Sequence, residues 1–176
     1  MGGVDKPLLP LAGQPLVSHV MTRLRPQVEQ MRLIANRSAA HYEALGVPVH
    51  QDTVTGLGPL GGLLTALQIV TTPLLFVCPG DAPRLDHGIV ARLRAALTPD
   101  LEAAFPNDGI RDQPLFLLIR ATIRPVLESY LERGGRSVHG FLGIIRSRTV
   151  EANALADSFV NVNTPEDLQA IERGAG

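Results

Sequence analysis

The sequence predicts a three-layer α/β domain built on a mostly parallel, mixed sheet. Along most of the chain, short apolar runs of strand length alternate with amphipathic segments of helix length. Polar or glycine residues follow several of the strand-like runs, as they do at the ligand-binding edge of open α/β sheets. No internal repeat or low-complexity segment interrupts the pattern, and the 176 residues suit a single domain over residues 1–176.

The composition excludes several functional classes. The formal net charge is -1, no long basic run is present, and Trp is absent, so neither a phosphate-neutralising face nor a base-stacking platform for nucleic acid is expected. The single cysteine, Cys78, allows no disulfide within the chain and has no pattern typical of a nucleophile. No apolar run reaches membrane-spanning length. We therefore predict a cytoplasmic protein with no membrane partner.

The predicted elements follow from periodicity and from Pro and Gly positions. In the first part they are a helix from Pro15 to the residue before Pro26, a strand at 31–35, a helix at 39–44, a strand at 47–50 and a helix at 63–70. In the second part they are a helix at 87–97, a strand at 102–105, a turn at 107–109, a strand at 115–119, helices at 123–133 and 138–142, and an edge strand at 149–151. The turn predicts an antiparallel excursion in the sheet. Two of the helices have a predicted apolar face, formed by Leu16, Val17, Val20, Met21 and Leu24 in the first helix and by Val126, Leu127, Tyr130 and Leu131 in the helix at 123–133.

The most informative stretch is the apolar run from Leu74 to Cys78, which stops at a turn carrying Asp81. Such a run is typical of a strand buried on both faces. Asp81 then lies beyond the carboxyl end of the strand, where it can meet a metal ion or a polar substrate. The alternative is that Asp81 caps the helix at 87–97, and this stretch alone does not decide between them.

Three other segments carry polar or glycine residues of interest. Gly58 to Gly62 precede the helix at 63–70, where free backbone N–H groups favour anionic or carbonyl oxygens. Lys6 follows two glycines, which suits a phosphate-binding loop, although the spacing alone favours a frayed terminus. Asn161 and Asn163 project from one face of an extended segment, just before a helix with Thr164 as its N-cap.

Taken together, these segments resemble the molybdenum cofactor guanylyltransferases, the molybdopterin-guanine dinucleotide biosynthesis protein A type. Six segments in the order and spacing of that family carry the resemblance: Met1 to Lys6, Ala35 to Arg37, Asp52, Gly58 to Gly62, Cys78 to Pro83 and Asn161 to Leu168. The resemblance implies a Rossmann-like nucleotidyltransferase fold. It also implies a Mg²⁺-dependent enzyme that transfers GMP from GTP to molybdopterin and releases pyrophosphate.

The resemblance implies roles for individual residues. Lys6 and Asp81 would be catalytic, with Lys6 at the nucleotide phosphates and Asp81 as the Mg²⁺ ligand. The implied nucleotide-binding set also includes Asn36, Asp52, Gly58, Pro59, Leu60 and Gly61. The implied molybdopterin-binding set is Asp5, Arg136, Asn161 and Asn163, although for Arg136 an exposed arginine at a helix end is the favoured interpretation.

The sequence departs from the family at two places. The family begins with an apolar strand and a Gly-rich phosphate loop, and this sequence starts after both. Because loss of a central strand would expose two rows of unpaired backbone groups, we expect the sequence given to be incomplete at its N-terminus. The family also often has Asn at the position of Ile34; either Asn36 substitutes for it or the affinity for the base is lower.

Two alternatives to a guanylyltransferase remain open from the sequence. One is a related transferase that uses CTP or acts on a sugar phosphate, and the other is a non-catalytic nucleotide-binding relative. The partners implied by the resemblance are GTP and molybdopterin as substrates. The resemblance also allows transient contacts with other molybdenum cofactor biosynthesis proteins or with apo-molybdoenzymes.

Overall fold

Strands and helices alternate through residues 5–173, the range that the computed structural model describes. The strands are Pro10–Leu11 (β1), Gln14–Pro15 (β2), Leu33–Ile34 (β3), Val49–His50 (β4), Leu74–Val77 (β5), Ala103–Asn107 (β6), Leu117–Arg120 (β7) and Ser147–Glu151 (β8). The helices are Leu16–Leu24 (α1), Ala39–Glu43 (α2), Pro59–Ile69 (α3), Ile89–Ala96 (α4), Arg124–Glu132 (α5), Val138–Leu142 (α6) and Pro165–Arg173 (α7). No helix in this range is long and apolar enough to cross a membrane.

The larger sheet has the strand order β5-β7-β6-β8. Strand β7 runs antiparallel to β5 and to β6, whereas β6 and β8 are parallel. Three of the four strands therefore share one direction, although two of the three neighbouring pairs are antiparallel, and the predicted mixed sheet is confirmed. The predicted turn between β6 and β7 is also present, and Gly109 adopts there a left-handed φ of 94° that favours glycine.

Helices cover both faces of this sheet. Successive residues of a strand point to opposite faces, and in these strands apolar side chains on each face pack against helices. In β6, Ala103 and Phe105 pack against α3, α5 and α6, whereas Ala104 packs against α4 and the end of α1. In β7, Leu117 and Ile119 share the first of these clusters and Leu118 joins the second. The three-layer arrangement predicted from the alternation of elements is confirmed.

Strands β3 and β4 form a second, parallel two-stranded sheet. Within residues 5–173, β5 pairs only with β7, and β3 pairs only with β4. All of Leu74–Val77 is accordingly only partly buried, so the prediction of a strand fully buried on both faces was wrong. Its side chains do reach both apolar clusters, but the unpaired edge of the strand leaves them partly open to solvent.

Two predicted helices differ from the structure in ways that bear on the site. Helix α3 begins at Pro59, ahead of the predicted start at residue 63, because proline suits the first helical position. Gly61 and Gly62 thus lie inside the helix. In α5, Val126 was predicted on the apolar face but is 38% exposed. The residues of this helix that are buried are Leu127 and Leu131, which lie one turn apart on the face toward the core.

Candidate functional site

The turn after β5 brings Asp81 to the N-terminal part of the described chain. Pro7, in the 3₁₀ turn Lys6–Leu8, lies directly against Gly80, where an added Cβ would stand 3.2 Å from the Pro7 Cβ. Glycine at position 80 therefore permits the close approach that places Lys6 beside the Asp81 turn. Helix α4 begins at Ile89 and has Gly88 at its N-cap, so the alternative in which Asp81 caps this helix was wrong.

The segment before α7 closes the same site. The Val162 N–H donates to the Asp81 carbonyl oxygen at 2.9 Å, and Lys6 Nζ donates to Asn163 Oδ1 at 3.0 Å. Val162 is fully buried in a cluster with Leu11 and Leu16. Asp81, Lys6 and Asn163, which the resemblance assigned to one reaction, are thus brought together by packing of distant segments.

The capping of α7 holds Asn163 in place. The N–H groups of Asn163 and Thr164 both donate to Asp167 Oδ2 at 2.8 Å. In return the Asp167 N–H donates to Thr164 Oγ1 at 3.1 Å, which confirms Thr164 as the N-cap. These bonds hold the pKa of the Asp167 carboxyl below its usual range.

Asp81 lies in an environment that disfavours its charge. Burial raises the pKa of its carboxyl, while a backbone hydrogen bond and the nearby Lys6 ammonium act in the opposite direction. A cation bound at the carboxylate would offset the desolvation. Among residues 5–173, no three His, Cys, Asp or Glu side chains cluster as metal ligands. An ion at Asp81 would therefore take most of its ligands from substrate and water.

Asp5 is held by a residue that sequence reasoning missed. The hydroxyl of Tyr42, which is 4% exposed, donates to Asp5 Oδ1 at 2.9 Å. Burial raises the pKa of Tyr42 well above its ordinary value. The hydrogen bond to Asp5 and the negative charges of Asp5 and Asp81 raise it further, by smaller amounts. Both carboxylates therefore lie near this phenol. The only sequence signal was an aromatic residue in a short helix after a strand end.

A second group forms where β3 and β4 end. Asn36 Nδ2 donates to Asp52 Oδ2 at 2.7 Å, and the Asp52 N–H donates to Asn36 Oδ1 at 2.8 Å. The other carboxylate oxygen, Asp52 Oδ1, is buried and has no hydrogen-bond partner among the described residues. An added Cβ at Gly61 would lie 3.3 Å from Asp52 Oδ2, so the carboxylate packs on the first turn of α3.

The glycine-rich segment offers backbone rather than side-chain groups. Gly58 is the N-cap of α3 with φ of 56° and ψ of -142°, and Pro59 follows in the first turn. Leu60 is fully buried in the core. Its predicted contact with a nucleotide would therefore have to come from the backbone. Residues 1–4, which carry the first part of the predicted motif, lie outside the described range.

Arg136 is engaged at the end of α5. Its Nη1 donates to the carbonyl oxygens of Leu131 at 2.9 Å and Gly135 at 2.7 Å. This geometry matches the alternative of an exposed arginine that caps a helix end. Asn161, in contrast, lines a pocket together with Asn163.

The family model described as the MobA-like NTP transferase domain matches residues 1–150 of the chain. The chain belongs to the MobA-like NTP transferase family. Two curated relatives, from Shewanella loihica and Yersinia pseudotuberculosis, are both named molybdenum cofactor guanylyltransferase. Each is 38% identical to this MobA-like chain. The match to the Shewanella loihica relative covers 97% of this chain and 88% of the relative. The match to the Yersinia pseudotuberculosis relative covers 98% of this chain and 89% of the relative.

Solved structures share the fold of this MobA-like chain. Molybdopterin-guanine dinucleotide biosynthesis protein A from Archaeoglobus fulgidus has a TM-score of 0.80 and 20% identity, covering 98% of this chain and 91% of that one. A 2-C-methyl-D-erythritol 4-phosphate cytidylyltransferase from Thermus thermophilus has a TM-score of 0.74 and 19% identity, covering 97% and 93%. The predicted nucleotidyltransferase fold is confirmed.

Proposed function

We propose that this MobA-like chain transfers GMP from GTP to molybdopterin, forming the guanine dinucleotide form of the molybdenum cofactor and releasing pyrophosphate. Support comes from the relatives named molybdenum cofactor guanylyltransferase, which match 97–98% of the chain. The structural observation that carries the proposal is the position of Lys6, which is hydrogen-bonded to Asn163 and adjacent to Asp81.

The reaction requires positioning and charge neutralisation. A phosphate oxygen of molybdopterin forms a bond to the α-phosphorus of GTP, and the bond from that phosphorus to the pyrophosphate oxygen breaks. Because two anions must meet, the Lys6 ammonium would lower the barrier by neutralising phosphate charge as it develops. No protein nucleophile is needed, and burial raises the pKa of Cys78 to about 12, which disfavours a reactive thiolate.

The residues present fit a role for Mg²⁺. Asp81 supplies a hard carboxylate oxygen, and burial removes part of the water that would otherwise stabilise its negative charge. Such a carboxylate suits a hard cation whose other ligands are water and substrate oxygens. When bound, the ion would neutralise phosphate oxygens and stabilise the leaving pyrophosphate. Lys6 would remain on the other side of the phosphates, held in place by Asn163.

Asp52 would recognise the base. Its Oδ1 is buried without a partner, and a buried acceptor of this kind favours a ligand that donates N–H groups. Guanine carries an exocyclic amino group and a neighbouring ring N–H, which a carboxylate can accept together. Asn36 would orient the carboxylate through its two hydrogen bonds. The backbone of the first turn of α3 would pass beside the base.

The proposal is tested by calorimetric titration of the chain with GTP and with CTP in the presence of Mg²⁺, followed by a transfer assay with molybdopterin. We expect GTP to bind more tightly than CTP, and labelled GMP to appear on the acceptor with stoichiometric release of pyrophosphate. Preference for CTP would support the cytidylyl alternative. Binding of GTP without transfer would instead indicate a non-catalytic nucleotide-binding protein.

A further inference from the structure

The Lys6 ammonium lies near three carboxylates but forms an ion pair with none of them. It is close enough to Asp81 and Asp167 for its charge to act on both, and Asp5 precedes it directly in the chain. Among the side chains that the structure describes, Lys6 takes part in no ion pair shorter than 4.0 Å. Its Nζ donates instead to the neutral amide oxygen of Asn163 at 3.0 Å. The positive charge is therefore left available to an anion.

Two of these three carboxylates are held by the backbone around them. Asp167 accepts the N–H groups of Asn163 and Thr164 in the cap of α7. Asp81 is partly buried in the turn after β5 and has a backbone hydrogen bond. Asp5 differs, because it is the N-cap residue of the 3₁₀ turn Lys6–Leu8 but its side chain makes no capping hydrogen bond. Another group must hold the Asp5 carboxylate.

The Tyr42 hydroxyl is that group. It donates to Asp5 Oδ1 at 2.9 Å, across 37 positions of the chain. The Tyr42 ring is 4% exposed and packs in a cluster with Val17 and Met21 of α1, so the core fixes the position of the hydroxyl. Burial raises the pKa of the hydroxyl above its ordinary value, and it stays protonated and donates at neutral pH.

The backbone of the turn is held without Tyr42. The Leu8 N–H donates to the Asp5 carbonyl oxygen at 2.9 Å, and Pro7 packs against Gly80. Loss of the Tyr42 hydroxyl would therefore release the Asp5 side chain rather than unfold the turn. A released carboxylate next to a lysine is attracted by the ammonium and competes with phosphate for it.

We propose that Tyr42 is a positioning residue that holds the Asp5 carboxylate away from the Lys6 ammonium and so keeps this ammonium free for the nucleotide phosphates. The inference rests on the proposed function, because it takes Lys6 as the phosphate-binding cation. The hydroxyl is needed only because residue 5 carries a negative charge. A neutral side chain at position 5 would remove the competition, and with it the need for the hydroxyl.

The test is calorimetric titration with GTP and Mg²⁺ without the acceptor, so that any contact of Asp5 with the acceptor does not enter the measurement. Tyr42→Phe keeps the buried ring and should bind GTP about tenfold more weakly, because the bond to a charged group is lost and Asp5 then competes. Adding Asp5→Asn to this variant should restore the affinity to within about twofold of the wild type. In a chain that carries Lys6→Met, Tyr42→Phe should have little further effect, because Tyr42 acts through Lys6.

Tyr130→Phe is the matched control. It removes the hydroxyl of the second tyrosine of the chain, which donates to the Ser137 carbonyl oxygen outside the site. This variant should bind GTP as the wild type does, and thermal melting should show that every variant is folded.

The outcomes separate this inference from the proposed function. A loss of GTP affinity in Tyr42→Phe that Asp5→Asn does not restore would overturn the positioning role, because the hydroxyl would then support the site by structure alone. Unchanged GTP affinity in Tyr42→Phe, or weaker binding of GTP by Asp5→Asn alone, would also overturn it, even if the wild type transfers GMP. If the variants behave as expected but the wild type transfers no GMP to molybdopterin, the role of Tyr42 stands and the proposed function fails.

Discussion

Lys6 Nζ donates to Asn163 Oδ1 at 3.0 Å, although the two residues are 157 positions apart in the chain. This contact joins the first described turn to the segment that precedes the last helix. It places the Lys6 ammonium beside the Asp81 turn, where the phosphates of the proposed reaction would lie. The predictions for Lys6, Asn163 and Asp81 depend on that arrangement.

Removal of the Lys6 charge should abolish most of the activity. We expect Lys6→Met to lower kcat/KM for transfer about a hundredfold or more, because a preorganised cation at developing phosphate charge is lost. Lys6→Arg should retain more activity than Lys6→Met. Steady-state kinetics with purified, folded variants would measure this. Equal kcat/KM for wild type and Lys6→Met would rule out the assigned role.

Asn163 should act through Lys6. Asn163→Ala should lower kcat/KM by about tenfold, since it removes one hydrogen bond to a charged group. In the double variant with Lys6→Met, the effect of Asn163→Ala should shrink, because residues that share a hydrogen bond are not additive. Fully additive effects would mean that Asn163 contributes independently of Lys6.

Asp81→Asn should separate stability from activity. Because burial disfavours the charged carboxylate, the neutral isostere should melt at the same temperature as the wild type or higher. The same variant should lose the Mg²⁺-dependent part of GTP binding in calorimetry. Asp100→Asn, which removes an exposed carboxylate, should leave GTP binding unchanged. Metal-dependent binding that survives in Asp81→Asn would contradict the assignment.

Asp52→Asn should weaken recognition of the base. Because one oxygen of the buried carboxylate is replaced by an N–H donor, we expect about a tenfold loss of GTP affinity and a smaller preference for GTP over CTP. Calorimetric titration with both nucleotides measures the ratio. Glu132→Gln, an exposed residue on α5, provides the matched loss of charge. An unchanged ratio would place the base elsewhere.

Gly135 should tolerate no side chain. An added Cβ there would overlap the ring of Tyr130, whose hydroxyl donates to the Ser137 carbonyl oxygen at 3.1 Å. Gly135→Ala should lower the free energy of unfolding by about 1–3 kcal/mol, as overpacking does elsewhere. Gly143→Ala is the control, since its nearest neighbours lie at 3.4 Å or more. Urea denaturation of the two variants should differ clearly.

Several features were predictable because they depend on local chemistry. The five apolar residues chosen for one side of α1 are all buried, namely Leu16, Val17, Val20, Met21 and Leu24. The N-cap at Thr164 also follows from its immediate neighbours. The early start of α3 was missed although Pro59 at the first helical position is itself a local signal. The exposure of Val126 was missed because it depends on which face of α5 packs on the sheet.

The sequence by itself determined the order of the helices and of strands β3 to β8 and the residue types at their ends, because periodicity, caps and turns act over a few residues. It did not predict the short strands β1 and β2. Only the tertiary structure decided which of those residues meet. Burial of Val162 with Leu11 and Ile171 brings Asn163 to Lys6, and the β6–β7 hairpin faces the unpaired oxygen of Asn161. Such contacts depend on the packing of segments that are distant in the chain, and no local pattern encodes them.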